Sequence, residues 1–283
     1  MIQTKQPDWS KRIERAMDLA GRNPGTVEVL AFYGRVLEFQ KAVYDSIAAQ
    51  PAPVLRPNSR ESGASWGPLD GNAAFREQLD VDAALRQLPA LLALVRKIGP
   101  AKLAQQAAAI GQGVPEQHRR MLRDFLLAPD GDEIEADSFF ARVLFQPQAE
   151  YFAATPAAEL SGFAGAVCPV CGGKPQVAVL RPEGDGGKRF LVCSFCLTEW
   201  EFRRILCPAC GEEDYAKLPR YAAEGVSAVR VEACDSCHHY LKGVDMTVDG
   251  LAVPLVDEIA TAPLDLWAAE HGYTKISVNI MGF

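Results

Sequence analysis

The residues of this 283-residue chain whose type and spacing most plainly permit chemistry are its eight cysteines. They form four Cys-x-x-Cys pairs, Cys168/Cys171, Cys193/Cys196, Cys207/Cys210 and Cys234/Cys237, with none left over. Two thiolates two residues apart can be aimed at one point by a single turn of backbone, and two such turns complete a tetrahedral tetrathiolate cage. The pattern therefore reads as two metal sites.

The ligand map repeats. Cys168 to Cys207 is a step of 39 residues and Cys193 to Cys234 a step of 41, so the two halves look like copies of one unit of about 40 residues. Each copy opens on Cys-Pro-x-Cys-Gly, CPVCG at 168–172 and CPACG at 207–211. Proline presets the knuckle dihedral, and glycine after the second cysteine can take a positive φ that lets backbone amides approach sulfur. Within each copy 21 and 23 residues separate the pairs, room for two strands and a turn. The repeat favours sequential pairing, Cys168/171/193/196 and Cys207/210/234/237, over an interleaved cross-brace. Ligand count does not separate zinc, the commoner structural occupant, from a rubredoxin-like mononuclear iron. His238 and His239 follow the last pair and read as surface groups or neighbours of the ligands rather than ligands. A dithiol redox site is the rival reading, but it predicts one motif at a helix start, not four knuckles.

Composition narrows the function classes. With 48% hydrophobic residues the chain is long enough to bury a core and to form two domains. Cysteine confined to residues 168–237 argues against a disulfide-stapled secreted domain. The start, MIQTKQPDWSKRIERAM, has no apolar run that would serve as a signal-peptide core, so export is not expected and the thiols should stay reduced. No apolar stretch is long enough for a membrane span, so stable membrane insertion is not expected. Residues 1–167 carry 18 basic and 20 acidic groups, 168–243 carry 10 and 10, and 244–283 carry one and six, giving the net charge of −7. A nucleic-acid ribbon would need a surplus of Lys and Arg, and none is present. The histidines His118, His238, His239 and His271 form no constellation with a nucleophile, and no enzyme is expected. Lys174, Arg189, Arg203, Arg204, Arg230 and Lys242 lie near the cysteines in sequence and could offset thiolate charge, although ordinary solvated residues is the favoured reading for most of them.

The elements that must position the cysteines follow from periodicity. Val29, Phe32, Val36, Phe39, Val43 and Ile47 recur at helical spacing. Shorter helices are predicted over Pro89–Ile98, Ala101–Ile110, Glu116–Leu127 and Ser138–Ala153, with Pro89 and Pro115 at helix starts and Gly99 and Gly111 at ends. The segment from Gln50 to Asn72 reads as a long loop: Arg56, Arg60 and Trp66 are interface candidates, and a plain surface loop with Trp66 tucked back onto the helices is the favoured alternative. Beyond the small-residue run at 153–167, strands are predicted over Gln176–Leu180 with Arg189–Val192, and Tyr215–Tyr221 with Ser227–Glu232, each pair a hairpin.

CPVCGGKP at 168–175, RFLVCSFCLTEW at 189–200, RRILCPACG at 203–211, VRVEACDSCHHYLKGVD at 229–245 and the tail PLVDEIATAPLDLWAAEHGY resemble the formate dehydrogenase accessory protein FdhE family. That resemblance implies a cytoplasmic maturation factor, not itself a formate oxidiser. Its implied partner is the catalytic subunit of formate dehydrogenase, met before twin-arginine export. It also moves the metal preference from zinc to rubredoxin-like iron on all eight cysteines. The expected architecture is α+β and multi-domain: an all-helical domain at 1–153, a linker at 154–167, and two tandem rubredoxin-like or zinc-ribbon β-hairpin modules at 168–203 and 204–283, the second carrying the C-terminal tail. Exposed or metal-depleted cysteine pairs would permit a redox-dependent homodimer. A zinc-ribbon nucleic-acid module and a thiol–disulfide redox protein are the alternative functions.

Overall fold

Amphipathic periodicity in the first half generates helices whose apolar stripes meet in one core. A computed structural model describes residues 7–22, 24–49, 75–127, 136–154, 163–184 and 186–283. Its helices here are α1 (Trp9–Arg22), α2 (Val27–Ala48), α3 (Val81–Ile98), α4 (Ala101–Ile110), α5 (Pro115–Leu127) and α6 (Ala136–Ala154). Leu30, Val36 and Leu37 of α2 pack with Leu88, Leu91 and Val95 of α3, Leu122 of α5 and Phe140, Leu144 and Phe145 of α6. The interface candidates Arg56, Arg60 and Trp66 lie outside the described residues, as does most of the predicted linker.

One helix start differs from expectation. Asp80 accepts a hydrogen bond from the Ala83 amide at 2.9 Å and begins α3 well before Pro89, which lies inside the helix on its exposed face. The cap supplies the nucleating contact, and a missing amide donor on the outer face is tolerated there.

The second half is one mixed sheet. Strands β1 (Pro175–Glu183), β2 (Gly186–Cys193) and β3 (Glu199–Glu201) form the first unit, and β4 (Arg220–Ala223), β5 (Val226–Ala233) and β6 (His239–Asp245) the second, each antiparallel and in sequence order. The units fuse through a parallel pairing of β1 with β6, Val177 opposite Lys242 through Leu180 opposite Asp245, giving the order β3-β2-β1-β6-β5-β4. The two hairpins thus lie side by side in one sheet. The predicted strand over Tyr215–Tyr221 is a 3-10 turn at Tyr215–Lys217, capped by Asp214, and pairing begins only at Arg220.

Alternation along the strands feeds two cores. Ala178, Leu191 and Leu241 face the core shared with the helices, while Val177, Val179, Val192, Tyr240 and Val244 face a second core. The second is closed by α7 (Pro254–Ala260) and α8 (Ala262–Glu270) with Leu255, Leu264 and Ala268, after which β7 (Thr274–Lys275) pairs with β6. Arg15 of α1 reaches Asp257 of α7 and Asp249 at 2.6 Å, and Arg142 of α6 donates to the Val278 carbonyl at 2.9 Å, tying helices to sheet. No helix among the described residues is long and apolar enough to cross a membrane.

Candidate metal centres

Each repeat unit folds its two Cys-x-x-Cys pairs the same way: one pair precedes the first strand and the other turns the chain from the second strand into the third. Every first cysteine donates its amide to the carbonyl five residues on: Cys168 to Gly173, Cys193 to Thr198, Cys207 to Glu212 and Cys234 to His239, at 2.8–3.0 Å. Every residue after a second cysteine has a positive φ: Gly172 at 72°, Leu197 at 59°, Gly211 at 80° and His238 at 55°. Glycine takes this conformation freely, whereas Leu197 and His238 adopt it at a cost of about 1 kcal/mol each. Sequence carried a signal for the two glycines and none for the other two. Amides of Val170, Phe195 and Ala209 point at Cys168, Cys193 and Cys207 sulfur at 3.4 Å, the hydrogen bonding expected of a thiolate knuckle.

The eight thiols gather into two groups in sequence order, Cys168/171/193/196 and Cys207/210/234/237, all four sulfurs of each lying within 4.8 Å of one another. Across the first group the Sγ separations are 3.5 Å (Cys168–Cys196) and 3.3 Å (Cys171–Cys193); across the second they are 3.8 Å (Cys207–Cys237) and 3.7 Å (Cys210–Cys234). A tetrahedron with metal–sulfur bonds of about 2.3 Å has edges of about 3.8 Å. The donor sets fit a tetrathiolate metal site, and no pair is a disulfide. Burial pushes the Cys168 and Cys196 thiols well above their ordinary range, and a cation bound among the four sulfurs would favour their anionic form. His238 and His239 belong to neither group: the His238 ring lies tilted beside Tyr273, centroids 6.1 Å apart, and His239 Nδ1 bonds the Cys237 carbonyl at 2.9 Å. Of the nearby cations, Arg189, Arg203, Arg230 and Lys242 are engaged by carboxylates rather than directed at sulfur.

The two centres have unlike surroundings. The first lies inside the core shared with the helices, every cysteine at 2% exposure or less. Phe195, between Cys193 and Cys196, packs on Phe125 of α5 at 6.0 Å and carries the Arg76 guanidinium 4.9 Å above its ring. Trp200 donates to the Gly165 carbonyl at 3.1 Å, and Gln146 of α6 donates to the Ser194 carbonyl at 3.4 Å. The second centre belongs to neither core: Cys210 is exposed and Cys237 half-buried. Its loops are joined by Glu212, which accepts from the Ser236 hydroxyl at 2.5 Å and from the Asp214 amide, contacts that hold its carboxyl down at about 2. Tyr273 ties Asp235 of the same turn at 2.6 Å.

This asymmetry has a measurable consequence. In the metal-loaded chain a hydrophilic alkylating reagent with a chelator is expected to consume the second centre first. Peptide mass mapping after partial reaction should find adducts at Cys210 and Cys237 while Cys168, Cys171, Cys193 and Cys196 stay unmodified. Equal labelling of the two groups would contradict the assignment of a closed first centre.

Comparison with known proteins follows the same division. Residues 167–204 match the family model described as FdhE, central domain, and residues 205–281 the model FdhE, C-terminal domain. The Protein FdhE homolog of Edwardsiella ictaluri is 30% identical over 96% of this chain and 87% of its own. The Protein FdhE homolog of Aquifex aeolicus is 28% identical over 99% and 97%, and Protein FdhE of Escherichia coli K12 is 26% identical over 96% and 86%. The crystal structure of the FdhE protein from Pseudomonas aeruginosa has the same fold, with TM-score 0.69 and 24% identity, covering 99% of this chain and 98% of that one.

Proposed function

The chain belongs to the FdhE family, and from that premise we propose that it is a cytoplasmic accessory factor for formate dehydrogenase, binding the catalytic subunit before twin-arginine export and catalysing no reaction of its own. The observation that carries this reading is that the likeness runs over 96% of the chain and spans the segments that carry both cysteine groups, not the sheet alone. In this reading Cys168, Cys171, Cys193 and Cys196 hold one metal ion, and Cys207, Cys210, Cys234 and Cys237 a second. Iron is the favoured occupant and zinc the alternative; iron would supply a one-electron couple, whereas zinc would only brace the loops.

The chain's own residues divide the labour. The first centre, sealed by Phe195, Trp200 and the helices, fixes the helical part to the sheet. Exposed Cys210 places the second centre where a partner can touch it. Metal-depleted chains would join through that thiol in a redox-dependent homodimer, two thiols giving one disulfide with two protons and two electrons passed to dioxygen.

Deleting the gene and assaying membrane formate dehydrogenase tests the role, together with co-purification of the catalytic subunit on tagged protein. Activity is expected to disappear and the subunit to co-purify. Normal activity in the deletion, with no redundant factor, would refute the assignment.

A further inference from the structure

The arginines of the sheet half divide into two kinds. Arg181 is paired with Glu199, Arg189 with Glu232, Arg203 with Glu213, and Arg230 with Glu232 and Asp245. Among the described residues, Arg204 and Arg220 have no carboxylate within salt-bridge distance. Both line one open cleft, alongside His239 and the second-centre ligands Cys207 and Cys234.

Their placement is fixed by backbone contacts that leave most of each guanidinium unused. Arg204 Nη1 donates to the Gly187 carbonyl at 3.4 Å, and Arg220 Nη2 donates to the Arg204 carbonyl at 3.3 Å. Arg220 sits opposite Glu232 across β4 and β5, but that carboxylate already accepts from Arg189 at 3.1 Å and from Arg230 at 3.3 Å. Arg189 is buried and saturated, donating also to the Arg203 and Leu206 carbonyls. The cleft therefore pairs every cation of its interior and leaves two planar donor forks at its mouth. Such forks match the oxygens of a carboxylate or phosphate group in bidentate fashion.

From these contacts we propose that Arg204 and Arg220 form an oxyanion site beside the second cysteine centre, taking a carboxylate or phosphate group. The source is either a free small anion or an acidic side chain of a docked protein segment, and the chemistry of capture is the same. A metal-loaded tetrathiolate adds negative charge to the cleft floor, so direct hydrogen bonds to the two forks, rather than a long-range positive field, hold the group. The site stands apart from the proposed accessory role and does not depend on it.

Calorimetric titration of the full metal-loaded chain at low ionic strength tests the site with inorganic phosphate and, separately, with a short polyglutamate peptide. Saturable binding of phosphate identifies a small-anion site, and binding of the peptide alone identifies a carboxylate on a protein segment. Either is expected to weaken about tenfold or more in Arg204→Gln/Arg220→Gln, with partial recovery in the double lysine variant, which keeps charge but not the fork. Binding of neither probe, or binding unchanged in the double glutamine variant, overturns the proposal. Wild-type protein supplies a second reading that needs no folded variant: the probe that binds should protect Arg204 and Arg220 from phenylglyoxal while Arg22, on the remote surface of α1, stays reactive. Unprotected Arg204 and Arg220 overturn the site equally.

Discussion

Replacing Cys171 with alanine is expected to abolish metal at the first centre and to unfold the chain around it. The same replacement at Cys210 should remove metal from the second centre and leave the rest folded. The contrast follows from where the two groups sit. Cys171 is fully buried in the core that α2, α3, α5 and α6 share with β1 and β2, so its loss would remove one ligand of the proposed metal site, leave three buried thiols and open a cavity. Structural tetrathiolate sites contribute on the order of 10 kcal/mol of binding free energy, comparable to the whole stability of a domain at about 5–15 kcal/mol. Cys210 is exposed and outside both cores, so the loss there falls on two loops. Metal stoichiometry and thermal melting by circular dichroism check both variants. Equal melting temperatures for the two would contradict a structural role for the first centre.

Breaking the charge cluster under β6 should be nearly as damaging. Glu258 of α7 is fully buried and meets Lys275, Lys242 at 3.2 Å and the Asn279 side-chain amide at 2.6 Å, while Lys242 also reaches Asp265, which accepts from Tyr240 at 2.8 Å. Two lysines and two carboxylates balance one another, and each needs its partners because the site is buried. Glu258→Ala would leave two buried ammonium groups facing one carboxylate, at a cost of about 3–5 kcal/mol, whereas Glu258→Met with Lys275→Met should cost less than the single change. Burial pushes the Glu258 carboxyl up, but Lys242 and Lys275 override it and hold the group below the ordinary carboxylate range. A depressed folded pKa contributes stability above the unfolded value of about 4.3, lost as pH falls through the folded one. The stability gap between wild type and Glu258→Gln should therefore be constant near neutrality and shrink in acid; a gap independent of pH down to acid unfolding would contradict the cluster's charge state.

How far these features could be read in advance depended on their range along the chain. The α2 stripe and the knuckle glycines Gly172 and Gly211 are local, and residue spacing alone announces them. Pro89 misled because a helix start is also local, but the stronger signal was Asp80, whose capping bond outweighs a proline on an exposed face. The parallel seam of β1 and β6 joins residues more than sixty apart, and nothing in either strand encodes it. The C-terminal segment carries Asp257, Glu258 and Asp265 in short helices, and a count of its charges says nothing of their burial. Those carboxylates are buried because Arg15, Lys242 and Lys275 arrive from distant elements. The grouping of the cysteines followed from the repeat, yet their unequal burial did not, since the core shared with the helices encloses only the first group.

In the proposed reading the eight cysteines hold metal in two tetrathiolate centres. Elemental analysis of anaerobically purified chain, read with its visible spectrum, tests it most directly. Two metal ions per chain are expected, with the absorption of a ferric tetrathiolate after oxidation if iron is the occupant; zinc at both positions would remove any electron-carrying role while leaving the centres intact. Folded, functional protein without bound metal, cycling its cysteine pairs through disulfides, would contradict the claim.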